Sequence, residues 1–144
     1  MKNFFLAAVA TLALATACKK DDTTTPTTAP MQVTGTFAGS NETPAVTTSA
    51  TGNVTATYDK TSKILTYSVT YSGLTPTAGH FHIGAPGVAG PIVIQFPYVS
   101  YSPISGSTLL TPAQEDALLM GNMYANLHTT ANPGGEIRAN VVAK

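Results

Sequence analysis

The sequence is poor in cysteine, tryptophan and charge. It has one cysteine and no tryptophan among 144 residues, and only 10% of its residues are charged. A single thiol cannot form a disulfide within the chain. Seven basic and seven acidic residues balance to a net charge of zero. Without a basic stripe or tryptophan, the sequence argues against a nucleic-acid partner.

The chain begins with an apolar run that is too short to cross a bilayer. Lys2 precedes the run from Phe4 to Ala15, whereas a membrane-spanning helix needs ~20 apolar residues. Small residues then lead to Cys18, as in the lipobox of bacterial lipoproteins. This pattern predicts a signal peptide over residues 1–17 and lipidation of Cys18. The alternative is an ordinary signal peptide in which the cysteine has no role.

The segment after the cysteine predicts where the protein resides. Lys19, Lys20, Asp21 and Asp22 resemble the export signal of surface lipoproteins, and a Thr/Pro linker continues to residue 30. Acyl chains on Cys18 would make the membrane a partner. We therefore expect anchoring to the bacterial outer membrane, with exposure at the cell surface as one outcome. A plain solvated charge run is the other interpretation of these four residues.

Residues 31–144 carry the period-two alternation of half-buried strands. The clearest element is a hairpin from Gly52 to Ser72, joined by a polar turn at residues 59–63. In its second strand, residues with hydroxyl groups alternate with larger residues expected to face the core. The core-facing residues are Leu65, Tyr67, Val69 and Tyr71. About seven short strands with frequent turns predict an all-β domain, an antiparallel Ig-like or Greek-key sandwich.

One helix signal interrupts the strands, at about residues 111–120. Thr111 is a typical N-cap, Pro112 takes the first helical position, and Gln114 completes a capping box. Gly121 then provides a stop. The sequence predicts one short helix between two strands.

The three histidines of the chain are His80, His82 and His128. Phe81 and Ile83 alternate with the first two, so we expect the apolar pair in the core and both imidazoles on the outer face. His128 lies on the more polar face of a later strand. If those strands pair, three imidazoles share one surface, a donor set that suits zinc or copper. The alternative is that each histidine only hydrogen-bonds within the sheet.

Other polar and glycine residues have structural interpretations. Glu136 and Arg138 alternate on one face and are expected to form a salt bridge with each other or to support a histidine. Gly84, Gly87 and Gly90 punctuate a loop between two strands, where glycine supplies positive φ. No lysine followed by serine or threonine accompanies them, which excludes a phosphate-binding loop.

Several of these motifs together resemble the CHRD domain, a module found in chordin and in bacterial secreted proteins. They are the stretch Gly79–Gly84, the stretch Gly87–Val93, the strand Tyr124–Thr129, the segment Pro133–Arg138 and the opening Gly35–Phe37 with Asn41–Val46. The resemblance runs from about residue 32 to 142 and implies an extracellular β-sandwich. The family has no agreed enzymatic activity.

The resemblance favours a non-catalytic binding or structural module of the cell envelope, with an extracellular protein or glycan as partner. The alternative function is a copper- or zinc-binding or redox protein that uses His80, His82 and His128. The segment from His80 to Ile83 is also similar to the copper strand of copper/zinc superoxide dismutase. The full histidine set and the disulfide of that enzyme are absent here.

Overall fold

The computed structural model describes residues 29–144, which form two antiparallel sheets and one short helix. This confirms the predicted all-β sandwich. The proposed signal peptide, Cys18 and most of the linker lie outside the described residues. Within them, no helix is both long and apolar enough to span a membrane.

The first sheet has five strands in the order β6-β3-β2-β1-β9. The predicted hairpin forms its centre, and Asp59 accepts hydrogen bonds from the backbone N–H groups of Thr61 and Ser62 at 2.7 and 3.1 Å to close the turn. The strands of the first sheet are β1 (Met31–Phe37), β2 (Thr51–Asp59), β3 (Ile64–Ser72), β6 (Ile104–Leu109) and β9 (Val142–Ala143).

The second sheet has four strands in the order β5-β4-β7-β8. Every pairing in it is antiparallel, and the chain crosses from the first sheet into it between β3 and β4. Its strands are β4 (Ala78–Ile83), β5 (Ile92–Gln95), β7 (Met123–His128) and β8 (Ile137–Asn140).

Two of the nine strands were not predicted. β6 was missed because its sequence, ISGSTL, has little apolar alternation and contains Gly106. That glycine is required by packing, since a Cβ there would overlap the phenol ring of Tyr67 on the neighbouring strand. β9 is only two residues long and was counted with the strand before it.

The core lies between the sheets and is built from the predicted apolar faces. Tyr67 from the first sheet meets Phe81 from the second and Phe96 after β5, with ring centroids 5.1–5.4 Å apart. Phe81 is fully buried, whereas Ile83 only packs against the margin of the core. Such aromatic contacts, together with the burial of large apolar side chains, hold the two sheets in fixed register.

The helix α1 (Pro112–Leu119) confirms the capping prediction. Thr111 accepts a hydrogen bond from the N–H of Gln114, and the Gln114 side chain accepts one from the N–H of Thr111. Glu115 then forms an ion pair at 2.8 Å with Lys63 of the hairpin turn. The helix is thereby fastened to the edge of the first sheet.

Candidate metal centre

The outer face of the second sheet collects all three histidines. His80 and His82 project from β4 on the side opposite Phe81, and His128 projects from the same side of β7. Their strands pair antiparallel, with His80 opposite Asn126 and Ala78 opposite His128. The pairing on which the shared surface depended is therefore present, and the three imidazoles lie together.

The imidazoles converge closely enough to share one ion. One nitrogen from each ring lies within 4.8 Å of a nitrogen from the others. His80 Nδ1 is 3.2 Å from His128 Nε2, and the ring centroid of His80 is 5.0 Å from that of His128 and 5.6 Å from that of His82. Each ring thus contributes one nitrogen to a group that could hold a metal ion.

Two backbone carbonyls determine how the rings are protonated. His82 Nδ1 lies 2.9 Å from the carbonyl oxygen of Gly90, and His128 Nδ1 lies 2.9 Å from that of Pro133. A carbonyl oxygen only accepts, so both Nδ1 atoms must carry hydrogen. In a neutral ring the lone pair is then on Nε2, which in both residues faces the cluster. Carbonyls that orient histidines in this way are common behind bound metals.

Burial favours the uncharged form of His80 and His82. Burial, reinforced by the neighbouring His128 and His82, lowers the pKa of His80 to about 4. The pKa of His82 is also lowered, chiefly by burial. At neutral pH these imidazoles are therefore neutral, which is the state that binds metal.

Comparison with known protein families identifies the domain. The family model of the CHRD domain matches residues 33–141. The chain belongs to the CHRD domain family. The match includes all three histidines and every strand except β9, with the first two residues of β1 also outside it. No curated protein and no solved structure matched the chain, so the likeness to copper/zinc superoxide dismutase stays a prediction from sequence, as does the lipoprotein signal.

The outer face of this CHRD domain is covered, contrary to the expectation that the histidines are exposed. Only 6% of His82 is accessible, while His80 and His128 remain partly accessible. The cover is the loop of residues 84–91, which we call the covering loop. Tyr124 accepts a hydrogen bond from the Gly90 N–H at 3.1 Å, and its ring stacks on His82 at 4.7 Å.

Arg138 fastens the covering loop to the sheet. Its guanidinium group lies 3.4 Å from the centroid of the Tyr124 ring and donates to the carbonyl oxygens of Ala85 and Val88 at 2.9 and 3.0 Å. The residue is only 1% exposed. Arg138, Tyr124 and His82 therefore form a stack, which fixes one wall of the histidine cluster.

The expected salt bridge between Glu136 and Arg138 is wrong for the described residues. Glu136 precedes β8 and instead accepts hydrogen bonds from the hydroxyls of Thr48 and Thr129 at 2.8 and 2.6 Å. Neither residue contacts a histidine through a hydrogen bond. Alternation placed both side chains on one face. It could not show that carbonyl groups of the covering loop would accept the hydrogen bonds of the guanidinium group.

The glycines of the covering loop serve close packing more than positive φ. Only Gly87 has a left-handed conformation, with φ of 78°. A Cβ at Gly90 would overlap the carbonyl oxygen of Ile83, and a Cβ at Gly84 would crowd Val88 and Tyr124. The prediction of positive φ is thus correct at Gly87, and wrong at Gly84 and Gly90.

Sequence reasoning missed two residues beside the cluster. Asn126 Oδ1 lies 3.0 Å from His82 Nε2 and 2.9 Å from His128 Nε2. Glu42 is buried nearby, its Oε1 has no hydrogen-bond partner, and burial raises its pKa against the opposing effects of the Thr43 N–H and Arg138. The alternation of β7 already placed Asn126 on the histidine face. No local signal connects Glu42, from a distant loop, with this site.

Proposed function

We propose that this CHRD domain is a non-catalytic binding module whose ligand is one divalent transition-metal ion, held by His80, His82 and His128. The observation that carries the proposal is the convergence of one nitrogen from each ring within 4.8 Å of the others. Zinc binds histidine at ~2.0–2.1 Å, which places the nitrogens of a tetrahedral site about 3.3 Å apart. His80 Nδ1 and His128 Nε2 already have this spacing, at 3.2 Å.

The donor chemistry favours zinc or copper. Neutral imidazoles suit Zn²⁺ and Cu²⁺, whereas Ca²⁺ and Mg²⁺ prefer sets of oxygen donors. The partial exposure of His80 and His128 offers an ion a route to the cluster. The lowered pKa values of His80 and His82 mean that protons compete less strongly with the metal for these two imidazoles.

We further propose that the module is tethered to the bacterial outer membrane through lipidated Cys18. The supporting features are the apolar run at residues 4–15, the small residues before Cys18 and the Thr/Pro linker that follows. A protein or glycan partner at the cell surface stays a prediction from the family resemblance. Labelled fatty acid should be incorporated by the native protein and not by Cys18→Ala. Soluble, unacylated native protein would overturn the anchor.

Metal binding is tested by calorimetric titration of the purified protein with Zn²⁺ and Cu²⁺. We expect saturation at about one equivalent, since three imidazoles form one site. His80→Ala should weaken binding by at least about tenfold, because second-shell changes alone cost that much. Gln95→Ala is the matched control, since Gln95 lies opposite His80 on β5 and is exposed.

His80 is a cleaner target than His82 for this experiment. Although alternation placed His82 on the outer face, its ring stacks on Tyr124 and its Nδ1 donates to the Gly90 carbonyl, so its removal would also disturb the covering loop. His80 has His128 as its hydrogen-bond partner within the described residues. Absence of saturable binding by the folded native protein would overturn the metal proposal.

A further inference from the structure

When the rings are neutral, the imidazole atoms that surround Asn126 Oδ1 offer it no hydrogen-bond donor. The Nδ1 atoms of His82 and His128 donate to backbone carbonyls, so the Nε2 atom of each neutral ring carries the lone pair. These lone pairs face Asn126 Oδ1 at 3.0 and 2.9 Å. An amide oxygen also only accepts. Three acceptor atoms thus face one another, an arrangement that a cation between them would stabilise.

We propose that Asn126 Oδ1 is the fourth ligand of the metal, which completes a set of three nitrogens and one oxygen with His80, His82 and His128. This inference rests on the metal-binding function proposed above and adds the residue that closes the coordination shell. A tetrahedral shell at ~2.0–2.1 Å separates its ligand atoms by about 3.3 Å. The contacts of 2.9–3.2 Å that link these four side chains are close to that spacing.

The surroundings of Asn126 favour this orientation of its amide. Asn126 is 3% exposed, and its Nδ2 lies against Gly135, so closely that an added Cβ on that glycine would contact it at 3.0 Å. Glu42 Oε1 lies against the same side of Gly135, where that Cβ would overlap it, and it has no hydrogen-bond partner. An acceptor on that side draws the NH₂ group toward Glu42 and leaves the oxygen facing the imidazoles.

The opposite orientation makes the opposite prediction. If the amide were rotated, its NH₂ group would donate to both Nε2 atoms and occupy the lone pairs that a metal needs. Asn126 would then compete with the ion, and its removal would strengthen binding. The sign of the change in affinity therefore distinguishes a ligand from a competitor.

The test is titration of the full chain with Zn²⁺ at neutral pH, for the native protein and for Asn126→Ala and Asn126→Asp. If Asn126 is a ligand, Asn126→Ala should weaken Zn²⁺ binding by at least about tenfold. Asn126→Asp should bind more tightly than the native protein, because a carboxylate oxygen is a stronger zinc ligand. Asn53→Ala, an exposed asparagine on the other sheet, should change nothing.

A spectroscopic readout separates ligation from a purely structural role. Co²⁺ in a four-coordinate site absorbs visible light strongly, and its band moves when a ligand changes. The band should shift in Asn126→Asp, a variant of nearly equal shape that tests the idea even if Asn126→Ala does not fold. Equal or tighter binding by Asn126→Ala, or an unmoved band in Asn126→Asp, would overturn the inference. No binding by the native protein would overturn the metal function itself.

Discussion

The outer faces of the two sheets are built from different polar residues, and only one of them is covered. The face of the first sheet is uncharged over most of its area and largely exposed, with hydroxyl side chains in rows across the strands. One row consists of Thr34, Thr55, Ser68 and Ser105. The face of the second sheet carries imidazoles, an amide, a phenol and a guanidinium, much of it buried under the covering loop.

This difference explains why the polar side chains of the second face are held in more definite positions. Exposed hydroxyl groups are satisfied by water, so their exact neighbours matter little to stability. Arg138 and Tyr124 are buried, and their polar groups find partners in the covering loop. The resulting bonds fix their positions, which preorganises the imidazoles between them.

The largest loss of stability is expected from a charge on the core face of the first sheet, compared with a charge on its exposed face. Tyr67→Asp would place an unpaired charge in the core and should unfold the domain, at a cost above about 4 kcal/mol. Thr66→Asp, one residue away on the exposed face, should cost less than about 0.5 kcal/mol. Urea unfolding monitored by circular dichroism measures both. Equal tolerance would mean that the faces are assigned the wrong way round.

The next largest loss of stability is expected from a substitution on the covered outer face, compared with one on the exposed outer face. Arg138→Met keeps much of the volume but leaves the carbonyls of Ala85 and Val88 without their donor. We expect a loss of about 3 kcal/mol, together with faster amide exchange in the covering loop. Thr55→Ala on the first sheet is the control and should be nearly neutral. If Arg138→Met lost no more stability than Thr55→Ala, the hydrogen bonds of the covered face would not contribute more to stability than the exposed face does.

A smaller effect concerns two glycines of the covering loop. Gly90→Ala would press a methyl group against the backbone of Ile83 and should cost about 2 kcal/mol. Gly87 has open space around it, so Gly87→Ala bears only the strain of φ near 78°, about 1 kcal/mol. Thermal unfolding ranks the two variants. The reverse order would contradict the close approach at Gly90.

The smallest effect is a pH dependence that arises on the second sheet. The pKa of His80 is lowered from 6.5 to about 4, so the unfolded chain binds more protons between these values. Stability should therefore be highest above about pH 6.5 and decline as the pH falls toward 4. Allowing for the partial exposure of His80, its contribution to this loss of stability is on the order of 1 kcal/mol.

Unfolding curves at several pH values check this dependence. His80→Gln should flatten the decline, and His82, whose pKa is also lowered, should account for part of what remains. Thr66→Gln serves as the control on the other sheet, because that position carries no titratable group. An identical pH profile for His80→Gln and the native protein would contradict the assignment.

Local patterns predicted the parts of the fold that depend on neighbours in the chain. The hairpin from Gly52 to Ser72 followed from alternation and a polar turn, and the helix followed from Thr111, Pro112 and Gln114. Alternation also placed the three histidines on the polar faces of their strands, but their meeting depended on the pairing of β4 with β7, which the tertiary structure supplies. The hairpin, the helix and the face that each histidine takes are encoded by residues a few positions apart, or by the period of a strand.

Contacts between distant segments decided the rest. The strand β6 depends on Gly106, over which the Tyr67 ring packs. The second outer face is buried because Arg138 donates hydrogen bonds to carbonyl groups of the covering loop. Glu42 reaches Asn126 from a loop more than eighty positions away in the sequence. Strand period specifies which side of a sheet a residue takes, so the histidine face was readable from the chain. It does not specify what lies across that face, because burial and hydrogen-bond partners arise only when remote segments pack together.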